Sequence, residues 1–192
     1  MEGNVTSKEQ GVAAAVRRCA GDLIRHLDAA GGDPTIAGEE IKASIARLMT
    51  YPDLFDVGIV RPANHGESSR IIYYDPNLVM IFGVTRVGQM DPPHNHGTWL
   101  ATAVYRGELR YEGYLRRDDG SRAGYAELDC VESRVMKPGD VALCGAPPND
   151  IHITIPVVDT WALVVAGGAF SNVREYYDPQ KRQRWEKSEK AA

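Results

Sequence analysis

LVMIFGVTRVGQMDPPHNHGTWLATAVYRGELRYEGYL, residues 78–115, carries three short apolar runs separated by turn chemistry, with no helical period in it. Runs of this length and alternation are strands. In its middle, Gly88-Gln89-Met90-Asp91-Pro92-Pro93-His94-Asn95-His96 sets two histidines one residue apart on a segment that enters a strand. Side chains at i and i+2 of extended chain share a face, so both imidazoles can converge on one ion at ~2.0–2.1 Å.

The strand pattern continues on both sides. RIIYY (70–74) precedes it, while AELDCV (126–131) and TWALVVAGG (160–168) follow. The turns between runs are Asp75-Pro76-Asn77, Asp118-Asp119-Gly120 and Pro138-Gly139-Asp140. Many short strands without intervening helices imply a sandwich or closed barrel rather than an α/β fold.

Before residue 57 the period is helical. Ser7 and Gln10 offer a capping box, and Val12, Val16, Cys19, Ala20, Leu23 and Leu27 form one apolar stripe that Gly31-Gly32 stops. Asp33-Pro34 offers the N-cap and first residue of a second helix, with Ile41, Ile45, Leu48 and Met49 on its buried side. The expected organisation is one structural domain. It has a helical layer at 1–56, a β-barrel at 57–178, and a polar segment at 179–192, read as a solvated helix or tail.

The chain's 192 residues, 43% hydrophobic and 25% charged, suffice for one buried core. A net charge of −4 argues against a broad nucleic-acid footprint. No apolar run approaches the ~20 residues of a membrane span, and no secretory signal is visible. Three cysteines without CxxC spacing read as free thiols, so a cytoplasmic location is expected. A homodimer is the expected assembly, because exposed strand edges pair.

His152 lies between Ile151 and Ile153 and points opposite to both, so it joins His94 and His96 if the isoleucines face outward. The glycine, five residues and HxH of Gly88–His96, followed by Gly107, resemble the first motif of the cupins. Pro138-Gly139-Asp140 and then Pro147-Pro148-Asn149-Asp150-Ile151-His152 resemble the second, with two residues extra before its proline. The likeness spans about residues 83–157. It implies a mostly β protein, a double-stranded β-helix (jelly-roll) barrel, with His94, His96 and His152 as metal ligands.

The glutamate that cupins usually place four residues after the second histidine is Leu100 here. Three-histidine cupins with a PxHxHGTW run resemble the cysteine dioxygenase family of thiol dioxygenases. That resemblance implies Fe(II), with zinc, nickel or manganese as substitutes, and a small thiol-containing acid and O₂ as substrates. Neutral ligands leave the ion's full charge to attract an anionic substrate. The family's carboxylate-binding arginine falls on Arg70, with Arg86 as the fallback. Its cross-linked cysteine falls on Ala101, and its outer-sphere histidine and tyrosine fall on Val164 and Ala166. An ammonium would lack a partner against such a wall, so an acid without an α-amino group is the expected substrate. Two other functions fit the same motifs: a zinc-type hydrolase or hydratase, and a non-catalytic ligand-sensing cupin.

Other candidates rank lower. His65 falls in a turn-rich stretch and His26 on the polar side of the first helix. Cys144 reads as an inert buried thiol, and Trp99 as a packing anchor. Tyr73, Tyr105, Tyr111 and Tyr125 sit on strands, any one of which could bring a phenol to the ion.

Overall fold

A computed structural model of the chain describes residues 7–62, 68–168 and 170–188. Helix α1 (Ser7–Ala29) buries Val12, Val16, Cys19, Ala20 and Leu23, the predicted stripe. It ends where the glycines predict. The Gly32 N–H donates to the Leu27 carbonyl at 2.8 Å and Gly31 N–H to Asp28 at 3.1 Å, with Gly31 at φ +64. This is a Schellman cap, and its left-handed residue favours glycine. The Ser7–Gln10 box rests on side chains outside the described part, as does His65.

Helix α2 (Gly38–Met49) starts later than Asp33-Pro34 predicts. The Asp33 carboxylate instead accepts from the Thr35 N–H at 2.8 Å, closing a side-chain turn ahead of the helix. Gly38 opens α2 because the helix lies against the sheet there. A Cβ at 38 would come 3.3 Å from Leu143 Cδ2.

Eleven strands follow: β1 (Ile59–Pro62), β2 (Ser68–Tyr74), β3 (Val79–Thr85), β4 (Leu100–Arg106), β5 (Leu109–Arg116), β6 (Leu128–Met136), β7 (Val141–Cys144), β8 (Ile151–Pro156), β9 (Thr160–Ala166), β10 (Val173–Asp178) and β11 (Gln183–Ser188). One sheet runs β1-β2-β3-β9-β4-β7 and a second β6-β5-β8, with every pairing antiparallel. His94 extends the second sheet, bridging His152 of β8 on one side and Tyr176 of β10 on the other. From β3 onward the chain alternates between sheets: β3, His94, β4, β5–β6, β7, β8, β9. That interleaving is the double-stranded β-helix, a jelly roll.

Residues 183–188 form a strand rather than the expected helix or tail. They pair with β10 in the register Tyr176↔Trp185, and the two rings stack at 6.1 Å. Strand β11 is an edge whose side chains are mostly exposed, so backbone pairing holds it without any apolar alternation to read.

Strand alternation sorts the core into two sides. Phe82, Ala101, Ala103, Leu163 and Val165 face the helices and share one cluster with Leu23, Ile41 and Leu48. Val104, Leu109, Tyr111 and Met136 pack inside the barrel. Among the described residues no helix is long and apolar enough to cross a membrane.

Phe82 is fully buried and meets the rings of Phe55 and Tyr105 edge-on at 5.4 and 5.2 Å, joining the helical layer to the barrel. Phe82→Ala is expected to cost about 3–5 kcal/mol in urea unfolding. Because Phe82 faces away from the barrel interior, metal content should not change.

Candidate metal centre

Proline at 92 and 93 keeps the chain extended into His94 and His96, and the His94 backbone then pairs reciprocally with His152. Each N–H donates to the other's carbonyl at 3.0 Å. Facing residues of such a pair project to the same side, so His94 and His152 both point inward. Ile151 packs on the outer side with Ala126 and Tyr177, which meets the condition set by the sequence pattern. The three rings come together with centroids 4.7, 5.1 and 5.3 Å apart, and one nitrogen of each lies within 4.8 Å of the others.

The donor set fits a divalent ion. His94 Nδ1 lies 2.8 Å from the Pro92 carbonyl, which can only accept, so Nδ1 carries the proton and Nε2 is left with its lone pair. The Nε2 atoms of His96 and His152 are 3.1 Å apart. One proton at most can sit between them, whereas a cation takes both lone pairs. Burial is the main force holding His96 and His152 well below the ordinary histidine range, with neighbouring imidazoles and the Arg174 guanidinium adding to it. Neutral imidazole is the ligating form. Their Nδ1 atoms have no partner among the described residues, so packing orients these rings: His96 against Phe170 at 5.1 Å, His152 against Tyr111 at 5.8 Å.

Asp150 ties the two motifs together. Its carboxylate, 2% exposed, accepts from the backbone N–H of His96 at 3.2 Å and Gly97 at 2.8 Å. Burial raises its pKa, and these hydrogen bonds oppose the rise. The chain segment before one ligand thereby fixes the backbone of another.

The histidines border a cavity of about 520 Å³. Leu100, in the place of the usual glutamate, borders it too, and no carboxylate joins the histidine cluster among the described residues. Thr85, Gln89, Asp91, Thr102 and Thr154 supply its remaining polar wall, and Val164 part of the apolar one. Among the described residues no arginine or lysine borders it.

Arg70 is not there. It stands opposite Phe82 in the β2–β3 register and so shares the helix-facing side, with its guanidinium 5.7 Å from the Phe55 ring centroid. The sequence places it on the right strand, and the alternation turns it to the wrong face. Arg86 pairs with Asp159 at 2.8 Å on the surface. Ala101 also faces the helices, so a cysteine there would point away from the cavity. Ala166 is buried but does not border the cavity.

Of the four tyrosines, Tyr111 is the one whose ring packs on a site histidine. The hydroxyl of Tyr73 bonds to Asp75, that of Tyr105 bonds to the Tyr51 carbonyl, and Tyr125 bridges Gln183 outside the barrel. Burial pushes the Cys144 thiol up to about 12 and also raises Tyr111. The thiol is therefore protonated and unreactive. Five residues escaped the sequence reading: Asp91 at the cavity, Asp150, Tyr176, whose ring lies 5.5 Å from His94, Phe170 against His96, and Arg174, whose charge acts on His96 and His152. Only Asp91 and Asp150 carried a signal, as acidic residues within three positions of a ligand.

No protein-family model matches the chain, and no curated protein is detectably similar to it. Similar solved structures include KdgF from Halomonas sp., 19% identical with a TM-score of 0.44 over 59% of this chain and 90% of that one. An RmlC-like cupin from Shewanella frigidimarina NCIMB 400 is 15% identical, with a TM-score of 0.44 over 59% of this chain and 86% of its own. A hydroquinone 1,2-dioxygenase, PnpCD, is 12% identical, with a TM-score of 0.41 over 52% and 63%. Likenesses this distant say nothing about the reaction, which has to be argued from the site.

Metal analysis should find occupancy severely reduced in His152→Ala, since an open site has no spare ligand. Asp150→Asn keeps all three ligands and one acceptor oxygen, so a loss of about 10-fold in metal affinity is expected. Near-full metal content in His152→Ala would remove that residue from the site. A second expectation concerns pH. His96 and His152 stay neutral when folded but take up protons when unfolded below about pH 6.5. Ion-free protein should therefore lose stability as pH falls through that value, by up to about 1.4 kcal/mol per pH unit for each imidazole. Urea midpoints measured from pH 7.5 to 5 check this.

Proposed function

We propose that the chain is a mononuclear metal-dependent oxidoreductase, an Fe(II) dioxygenase of a small thiol. The observation that carries this reading is the ligand set: three neutral imidazoles, with apolar Leu100 where a carboxylate ligand would stand, on the wall of a 520 Å³ cavity. Such a set leaves the ion's full charge directed at the cavity, where a thiolate is a strong ligand. The PxHxHGTW run supports the same class. His94, His96 and His152 would hold the ion. When bound it supplies Lewis acidity toward the thiolate and, as iron, the electron-transfer chemistry that dioxygen requires.

The overall change is R–SH + O₂ → R–SO₂H. Both oxygen atoms end on sulfur, and the four electrons it loses reduce the dioxygen. The chain's own part is to bind and orient the thiol. Thr102 is buried and presents to the cavity a hydroxyl with no partner among the described residues. Leu100, Leu109 and Val164 keep water from the reacting sulfur.

The sequence pointed to an acid lacking an amino group, with Arg70 as its anchor and no acceptor for an ammonium. The cavity reverses both premises. Arg70 lies on the other side of the sheet, and Asp91 is the one carboxylate among the described residues that borders the cavity. A thiol with an amine at its far end suits that wall better than a thiol with a carboxylate.

Oxygen uptake by protein loaded anaerobically with Fe(II) tests this against cysteamine, cysteine and 3-mercaptopropionate. Stoichiometric sulfinate is expected, fastest from cysteamine. Asp91→Asn should raise KM for cysteamine about tenfold and leave that for 3-mercaptopropionate unchanged. Faster turnover of 3-mercaptopropionate would restore the acid reading, and no uptake with any of the three would overturn the dioxygenase.

A further inference from the structure

The helical layer carries a second concavity, unrelated to the metal cavity. A groove of about 680 Å³ runs between α1 and α2. Its α1 wall includes the small residues Ala14, Ala15 and Gly21, with Leu48 and Tyr51 across from them. Gly21 sits in mid-helix, where glycine costs helix stability. Packing does not demand it, for a Cβ there would meet only Arg25 Nη1 at 3.6 Å, an ordinary contact. A side chain at 21 would, however, project toward the groove.

Four guanidiniums border this groove, those of Arg17, Arg18, Arg25 and Arg47, and Asp22 is the single carboxylate among them. Asp22 pairs with Arg25 and also with Arg47, the latter at 3.6 Å. Arg18 has a neutral partner among the described residues, donating to the Tyr51 hydroxyl at 3.2 Å. Arg17 is exposed and has no carboxylate partner among the described residues. Four positive charges less one negative leave +3 in one groove, on a chain whose net charge is −4. Arg17 and Arg18 thus bring to the groove two charges that pair with no carboxylate among the described residues. Arg47 lies in the last turn of α2, whereas Arg17 and Arg18 lie mid-way along α1 and cap no helix end.

We propose that the α1–α2 groove is a binding site for a small molecule bearing a di- or triphosphate. Guanidinium forks match phosphate oxygens two at a time, and +3 answers the charge of such a group. The volume lies within the ~300–1,000 Å³ of small-molecule sites. Apolar Leu48, the alanines and the Tyr51 ring offer a surface for the rest of the ligand. The groove and the metal cavity lie on opposite faces of one sheet: α2 packs on Ala101 and Ala103 of β4, and the next residues, Leu100 and Thr102, border the cavity. The site stands whether or not the metal centre is a dioxygenase.

The test is calorimetric titration of the full chain with inorganic pyrophosphate at low salt. The expected result is saturable one-to-one binding that weakens as salt is raised. It should fall at least tenfold in Arg17→Ala/Arg18→Ala and persist in His152→Ala. An unchanged urea midpoint in the double variant will show that the helices remain in place. Arg17→Lys/Arg18→Lys, which keeps the charge but loses the fork, should bind between the two. No binding at millimolar pyrophosphate overturns the proposal, and so does binding that ignores the arginines. Loss of binding in His152→Ala would place the anion at the metal centre instead. Binding of a single-stranded oligonucleotide or of anionic phosphatidylserine vesicles without pyrophosphate binding would equally overturn it.

Discussion

Two backbone hydrogen bonds between His94 and His152 hold the functional half of this molecule together. They join chain segments 58 positions apart, attach the HxH segment to the β6-β5-β8 sheet, and set two imidazoles on one face. A register slip of one residue would turn either ring outward, because strand side chains alternate with a period of two. The neighbouring contacts guard that register. Asp150 holds the backbone at His96 and Gly97, and Tyr176 pairs with His94 from its other edge. Main-chain geometry therefore brings the rings to one face, and side-chain packing on Phe170 and Tyr111 then sets how two of them are turned.

The features legible in the sequence were those with a strong local period. The α1 stripe, the glycine stop at 31–32, the short strands and the shared face of His94 and His96 follow from spacings of two, three or four residues, while His152 joined them through its motif resemblance. The features that escaped it depend on partners far along the chain. Arg70 lies on the strand that was read for it, yet its face is set by pairing with Phe82, and no local pattern reveals that. Strand β11 exists through backbone pairing with β10, while its exposed side chains look like those of any polar tail. Helix α2 begins at Gly38, after the turn in which the Thr35 N–H donates to the Asp33 carboxylate, and Asp33-Pro34 reads the same for either structure. Asp91 was in plain view beside the histidines, but its border on the cavity depends on how the 86–93 loop folds over the barrel mouth.

The charges are sorted by layer. The barrel interior keeps its imidazoles neutral by burial, so an incoming ion would be the largest charge inside it. One acid among the described residues borders that cavity, whereas the helical layer gathers guanidiniums in a groove on the far side of the same sheet. The cavity wall mixes polar and apolar side chains around an uncharged ligand set, and Asp91 is the acid that an anionic metal ligand would meet there. The surface that does concentrate charge lies where it cannot compete with the ion.

The pairing of His94 with both His152 and Tyr176 also sets an order of events during synthesis. His94 and His96 leave the ribosome 56 residues or more ahead of His152, and Tyr176 comes later still. A nascent chain thus displays a bare two-histidine pair on a strand that has neither neighbour. Only when β8 and then β10 have been made does the third imidazole arrive and the first become fixed. A complete ion site consequently requires the chain through β10, and metal selection is deferred to the folded protein in whatever pool of free ions surrounds it.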